Sequence, residues 1–444
     1  MHPVLGGNGV RAIIIADDFT GACDTGVRFA APGEPCPVVV AEDRDTTGGC
    51  AGAVELEPAG GGAAAGTPDL TGCDIAGAAG VLVIDTESRH ATPDEAASTV
   101  RRVAWEIAAC DPQIIYKKID STLRGNIRAE LEVIAATFPE RVLVVAPAFP
   151  ATGRTTRGGR CLVDGVPVDR TEFARDRRSA VRSACIADLV GFAPAIAECS
   201  VGELPDVASR AVPGSAIIVD AERDDELAGI AGIVAGDWRR FLLAGSAGLA
   251  GAVAERLRNV PIAPASAAFC DDGMLVSRVV LGLVGSLSER SRRQADVLRK
   301  HGEVAVVTVV GDTGDTAAAV VAALRSGRDA LVLSPPPSND VPVNDAGDVA
   351  ARLGMIARRA VEAVPGVGLF LTGGDTALAA IRALGARGVF VCRETAPGVP
   401  AMRIPARVGS AMFDVSAVTK AGGFGPDDAM VEAFRSLREG QCLR

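Results

Sequence analysis

The sequence predicts an α/β protein of two domains, each a mainly parallel sheet flanked by helices. Three observations predict this. Short β-branched runs recur from end to end, apolar throughout rather than alternating with polar residues, which is the pattern of strands covered on both faces. Helix-length segments rich in Ala, Glu and Arg separate them, and strands that alternate with helices form parallel sheets. At 444 residues the chain also exceeds what one hydrophobic core usually supports.

The first domain is expected over residues 1–262, with strands at Ala12–Ala16, Val38–Ala41, Val81–Asp85, Ile114–Ile119, Val142–Ala146, Ala216–Asp220 and Phe241–Ala244. The second is expected over 273–444, with strands at Val279–Val284, Val304–Val310, Ala330–Ser334, Gly368–Leu371 and Val389–Cys392. Asn259–Asp272, carrying Pro261 and Pro264, reads as the linker between them. The Gly- and Ala-dominated stretch Thr46–Gly66 reads as a surface loop. Sheets of this kind take ligands at the carboxyl ends of their strands, so the active site is expected in the interdomain cleft.

Composition narrows the class of partner. A net charge of −10 and a pI near 5.1 argue against nucleic acid or an acidic membrane surface. Local basic clusters still leave room for a small anionic ligand. The eleven cysteines form no CxxC pair and read as small buried hydrophobes in a reducing compartment. The three histidines, His2, His90 and His301, lack HxxxH spacing, which disfavours zinc. Arg11 alone precedes the apolar stretch Ala12–Ala16, too short for a signal peptide, and no apolar run is long enough for a membrane helix. A soluble, cytoplasmic protein is expected; a homodimer is left open.

The chemistry sits at strand ends. The first strand runs into Asp17-Asp18-Phe19-Thr20-Gly21. Either carboxylate could bind hydroxyls or accept a proton, or simply cap the following helix. The strand ending at Asp85 leads to Arg89, whose guanidinium fork suits a carboxylate or phosphate, and equally a surface pair with Glu87 or Glu95. The sharpest segment is Tyr116-Lys117-Lys118-Ile119-Asp120-Ser121-Thr122-Leu123-Arg124. Lysine inside an apolar strand needs an anionic partner. Strand alternation puts Lys118 and Asp120 on one face and Lys117 on the other. The Pro-, Gly- and Thr-rich segment from Ala146 to Thr156 reads as a lid or clamp.

The second half offers anion cradles instead. Gly285-Ser286 follows a strand, and Thr372-Gly373-Gly374-Asp375-Thr376 opens a helical pattern. Such turns let backbone N–H groups and a helix N-terminus approach a phosphate. Asp375 could reach a magnesium ion or cap the helix. Lys420 with Gly422 and Gly423 forms another candidate cradle. There is neither GxxxxGK[ST] nor GxGxxG, which excludes a P-loop enzyme and counts against a dinucleotide-binding dehydrogenase.

In order and spacing these segments resemble the four-carbon acid sugar kinase family, the 3-oxo-tetronate, D-threonate and D-erythronate kinases. The matching stretches are IADDFTGACD from Ile15, DTESR from Asp85, KKIDSTLRGN from Lys117 and APAFPATGRTT from Ala146. They continue with GSAGLA from Gly245, LTGGDT from Leu371 and TKAGGFG from Thr419. The resemblance implies a sugar-acid-binding first domain, a second domain binding ATP with Mg²⁺, and phosphorylation of the terminal hydroxyl of a four-carbon acid. Substrate-side candidates are then Asp17, Asp18, Arg89, Lys117, Lys118, Asp120 and Arg124, with Asp18, Asp120 and Lys118 catalytic. Nucleotide-side candidates are Ser286, Gly373, Gly374, Asp375, Thr376, Lys420, Gly422 and Gly423, with Asp375 toward the metal. The competing readings are another enzyme of acid-sugar chemistry, such as an aldolase or dehydrogenase, and a non-catalytic regulatory protein binding the same ligands.

Overall fold

The computed structural model describes residues 11–31, 33–41, 80–176, 178–258, 276–286, 288–302, 304–309, 313–334 and 346–440. The expected linker and the Thr46–Gly66 loop lie outside them.

Among the described residues, eight strands of the first domain run parallel to one another. In chain order they are β1 (Ala12–Ala16), β2 (Cys36–Val40), β3 (Val81–Asp85), β4 (Ile114–Lys118), β5 (Val142–Ala146), β9 (Ile196–Cys199), β10 (Ala216–Val219) and β11 (Phe241–Gly245). Their spatial order is β2-β3-β1-β4-β11-β5-β10-β9. Helices α1 (Phe19–Phe29), α2 (Pro93–Ala108), α3 (Ile127–Thr137), α4 (Leu204–Arg210), α5 (Asp224–Val234) and α6 (Ala247–Arg258) connect them. Alternation is visible within β1, where Ile14 packs into one apolar cluster while Ile13 and Ile15 pack into another.

The second domain contributes β12 (Val279–Val284), β13 (Val304–Thr308), β14 (Asp329–Leu333), β15 (Val367–Thr372), β16 (Gly388–Ala396), β17 (Val399–Val408) and β18 (Ala411–Lys420). Its helices are α7 (Glu289–His301), α8 (Thr313–Arg325), α9 (Ala346–Ala363), α10 (Gly374–Ala383) and α11 (Ala429–Glu439). Strands β13-β14-β12-β15-β18 are parallel, and β18-β17-β16 form an antiparallel meander.

Both sheets were expected, but as separate bodies. The structure joins them edge to edge: β16 pairs antiparallel with β2, Gly388 opposite Val39 and Val391 opposite Cys36, to give one sheet of fifteen strands among the described residues. Pairing two edges covers backbone groups that would otherwise stand open. One apolar cluster runs along a face of this sheet through both domains, from Ile14 and Tyr116 to Leu281, Leu369 and Met402.

Strands β17 and β18 escape the search for unbroken apolar runs for a physical reason. The former alternates buried and half-buried residues from Met402 onward and contains Pro400 and Pro405, which sequence reasoning treats as strand breakers. A second sheet holds β6 (Arg154–Arg157), β7 (Arg160–Val163) and β8 (Val166–Pro167). Its β7–β8 turn puts Asp164 at φ 49° and Gly165 at φ 80°, the left-handed pair of a tight hairpin. A hairpin is therefore present around Gly165.

Candidate functional site at the carboxyl ends of the strands

Register places the first domain's polar residues along one edge of the sheet. Ala16 lies opposite Asp85, Ile15 opposite Lys117, Gly245 opposite Lys118, and Ala146 opposite Gly245. The residues that follow these strands, Asp17, Glu87 to Arg89, Lys118 to Asp120, Ser246 and Ala148, therefore meet at their carboxyl ends. Helix α1 starts there too. Asp18 is its N-cap, accepting from Gly21 N at 3.0 Å, while Phe19 N donates to Glu87 Oε1 at 3.1 Å. Glu87 reaches that position from a left-handed backbone, φ 50°.

Arg89 is the hub. Its Nε and Nη2 donate to the two oxygens of Asp17 at 2.7 and 2.8 Å. Nη2 also lies 2.7 Å from Asp18 Oδ1 and 3.8 Å from Asp120 Oδ1. With its side chain only 10% exposed, the guanidinium is held by three carboxylates at the cleft wall. Burial works to raise the Asp17 carboxyl, but the charges of Arg89, Lys117 and Lys118 and the bonds from Arg89 outweigh it, so its pKa lies below the usual range. Asp17 is nearly fully buried and does not line the pocket. The expectation that it touches substrate is corrected: it fixes the guanidinium that does face the pocket.

Asp120 is bound more tightly still. It accepts from Thr122 N at 3.1 Å, from the Thr122 hydroxyl, and from Arg124 Nε and Nη2 at 3.0 and 2.9 Å. Burial again opposes ionisation, and Arg124 with Arg89 overcomes it, so the carboxyl is held well below its ordinary value. A carboxylate so stabilised is a weak proton acceptor. Arg124 in turn stacks over the Phe173 ring, 5.3 Å from its centroid.

The two lysines part as alternation requires. Lys118 lines the pocket beside Asp18, Arg89 and Asp120, and its Nζ donates to Ile119 O at 3.0 Å. Lys117 turns to the opposite face, fully buried, with Nζ 2.8 Å from Glu130 Oε2 on α3. Ser88 donates to the other Glu130 oxygen at 2.5 Å, and Thr86 ties the same loop to Ala16 O at 2.8 Å. Lys117 as a substrate ligand is thus corrected: it anchors α3 and the loop that carries Arg89.

The second domain closes the same pocket with Thr419, Lys420, Ala421 and Phe424, and with Gly398 and Pro400 from the β16–β17 turn and β17. Lys420 Nζ lies 3.3 Å from Thr372 Oγ1 and donates to Ala421 O at 3.0 Å. Burial, helped by Arg290, lowers its pKa to about 8. Behind it three turns converge at the ends of β12, β15 and β18. A Cβ on Gly422 would collide with the Ser286 hydroxyl, and Gly373 takes φ 102° just before α10. Only glycine allows that approach and that backbone. Thr376 is buried against Gly285. Gly423 is different: it is exposed, and a Cβ there meets nothing.

The turns face the first domain. A Cβ on Gly374 would sit 3.7 Å from Thr20 Oγ1 of α1, so the N-termini of α1 and α10 converge on one cleft. Asp375 pairs across that cleft with Arg178 at 2.7 Å, both half exposed. Among the described residues no group of three His, Cys, Asp or Glu side chains could hold a metal. One carboxylate at a glycine turn fits Mg²⁺ that is held mainly by phosphate oxygens and water rather than by a protein cage.

Sequence reasoning assigned no role to the pocket-lining Asp24, Phe173 and Ser246, whereas Phe149 and Arg154 lie in the segment read as a lid or clamp. Asp24 was findable, because it lies three positions after Gly21 on a helix whose start had already been singled out. Phe173 carries no local signal, since a short 3-10 helix distant in sequence, Glu172–Arg175, brings it over Arg124.

The two halves of this site match separate family models. Residues 12–253 match the sugar-binding N-terminal domain and residues 281–430 the nucleotide-binding C-terminal domain. A sugar-binding half and a nucleotide-binding half that share one cleft define a two-domain kinase. The chain belongs to the four-carbon acid sugar kinase family. It is 33% identical to the D-threonate kinase of Salmonella typhimurium, over 98% of this chain and 100% of that protein. It is also 33% identical to the D-threonate kinase of Bordetella bronchiseptica, over 96% and 97% respectively. A solved structure from Salmonella typhimurium LT2, described as a putative tRNA synthase, shares the fold with a TM-score of 0.72 at 19% identity, covering 97% of this chain and 99% of that one. Among the described residues no helix is long and apolar enough to cross a membrane.

The buried Lys117–Glu130 contact should matter for stability rather than binding. Lys117→Met leaves Glu130 uncompensated and is expected to cost about 3–5 kcal/mol. Urea denaturation measures this, and an unchanged midpoint would show that the pair anchors nothing.

Proposed function

We propose that this chain transfers the γ-phosphoryl group of ATP to the terminal hydroxyl of a four-carbon acid sugar, with D-threonate the first candidate and D-erythronate and 3-oxo-tetronates the alternatives. One observation carries the reading: Arg89, Lys118 and Arg124 from the sugar-binding half share a pocket with Lys420 from the nucleotide-binding half. A cationic floor suits the substrate carboxylate, and a glycine-lined wall with a lysine suits a triphosphate.

Phosphoryl transfer needs positioning and charge neutralisation more than covalent help. Arg89 and Lys118 bind the acid's carboxylate, with Arg124 at the pocket rim. Asp18 and Asp120 orient substrate hydroxyls and keep the cations in place. Ser286, Gly373, Gly374, Thr376 and Gly422 give the phosphates backbone and hydroxyl donors, with Gly423 on the adjoining turn. Lys420 places its charge where the two substrates meet. Asp375 would hold Mg²⁺, which when bound neutralises charge on the phosphate oxygens. Closing the cleft excludes water that would otherwise compete as acceptor.

A coupled assay of ADP release against D-threonate, D-erythronate and 3-oxo-tetronates tests this directly, and no acid-dependent ADP with any of them would end the proposal. Arg89→Lys keeps the charge but loses the fork. It is expected to raise KM for the acid by roughly ten- to a hundredfold, the worth of a charged hydrogen bond of about 1.5–3 kcal/mol.

Lys420 gives the reaction a basic limb. Its pKa is lowered to about 8, so its charge is present below that pH and lost above it. Accordingly kcat/KM for ATP should fall about tenfold per unit above pH 8, since this parameter reports the free enzyme. Lys420→Met should be slow and flat through the same range. A wild-type profile without that fall would remove Lys420 from the nucleotide site.

A further inference from the structure

The pocket contains a third carboxylate that neither the motif reading nor the family models assign. Asp24 lies one turn into α1, on the face that carries Gly21 and Arg28. It lines the same pocket as Lys118 and Lys420, and its side chain is 20% exposed. Its situation differs from that of its neighbours. Both oxygens of Asp18 are engaged, one by Gly21 N and Arg89, the other by the Thr20 hydroxyl at 2.6 Å. Both oxygens of Asp120 are engaged by Arg124 and Thr122. Asp24 has one long contact, from Arg28 Nη2 to Oδ1 at 3.3 Å, and its Oδ2 has no hydrogen-bond partner among the described residues.

Resting on the kinase reading above, we infer that Asp24 is the general base of the reaction, with the free Oδ2 accepting the proton of the hydroxyl that is phosphorylated. In the step, the hydroxyl O–H breaks and its proton passes to Asp24. The hydroxyl oxygen bonds to the γ-phosphorus, the bond from that phosphorus to the β-bridging oxygen breaks, and ADP leaves with those electrons.

The electrostatics agree with the geometry. Burial raises the Asp24 carboxyl more than Arg28 and Lys118 lower it, whereas Asp120 is pushed the other way. A base works better as its pKa approaches the operating pH. The groups that face Asp24 are Arg28 on its own helix, Lys118 at the end of β4 and Glu394 on β16. Arg28 is itself fixed from the second domain, bonding both oxygens of Glu394 at 3.1 and 3.0 Å. Glu394 also accepts from Gly398 N at 2.6 Å, in a turn that lines the pocket. The base is therefore held by a contact that exists only when the two domains are docked.

The test is Asp24→Asn, which keeps the shape and removes the proton acceptor. Acid-dependent kcat should fall about a hundredfold or more, while the Kd for ATP, read by calorimetry, stays within about threefold. On the wild-type enzyme kcat should fall as pH drops through the raised Asp24 pKa, because the base is lost on protonation. This second measurement stands even if the variant folds poorly. A variant kcat within about threefold of wild type, or a wild-type kcat that stays flat down the acid side, overturns the assignment of Asp24 and leaves the kinase reading intact. No acid-dependent ADP from the wild-type enzyme overturns the kinase reading and this inference with it.

Discussion

The site depends on a single arginine held in place by three acids. Arg89 touches Asp17, Asp18 and Asp120, and each belongs to a different duty of the fold: the end of β1, the cap of α1 and the end of β4. A guanidinium this buried is tolerable only because its charge is met on several sides. The arrangement also fixes what remains free. Nη1 has no hydrogen-bond partner among the described residues, and the residue lines the pocket. Pairing with the acids thus leaves Nη1 as the open donor of the guanidinium. Lys117, Glu130 and Ser88 secure the loop beneath it from the far face of the sheet.

This explains why two adjacent lysines have opposite fates. In a strand covered on both faces, neighbouring side chains point into different layers. Lys118 falls on the layer that opens at the strand end, and Lys117 falls on the layer sealed by α3. The period of the strand predicted that split. The identity of Glu130 as partner was not readable, because it lies on the following helix, α3, whose register against β4 is set by tertiary packing.

Much of the fold was legible for the same reason. Unbroken apolar runs such as Ala12–Ala16 and Val142–Ala146 are strands because a parallel sheet buried on both faces admits a polar residue only where it finds a partner. What escaped was structure with another signature. Strand β17 alternates buried and half-buried residues and carries prolines, and β18 starts at the surface and is buried only from Val415 onward. The joining of the two sheets through β2 and β16 escaped as well, since no local pattern says which edge strand meets which. Within the site, residues at strand ends announced themselves by charge next to an apolar run. Asp24 and Phe173 did not, one lying inside α1 and the other on a short 3-10 helix distant in sequence.

The seam between β2 and β16 also sets how the two substrates' binding groups can approach. A backbone ladder ties the domains along that line, including Val40 N to Arg387 O at 3.0 Å. The Arg28–Glu394 pair reinforces it from α1. Contacts at the opposite rim are of another kind: the half-exposed Arg178–Asp375 pair and Arg154 over the Phe424 ring at 6.0 Å. Solvent-exposed pairs contribute little to stability, whereas breaking a ladder would expose a row of peptide groups. Of the contacts that span the cleft, those at the rim are therefore the cheapest to give up. The wall nearest the seam, which carries Asp24 and Gly398, is held by the ladder and by the Arg28–Glu394 pair. Proton transfer tolerates little misplacement between donor and acceptor, so the base inferred at Asp24 sits on the wall that the seam holds in place.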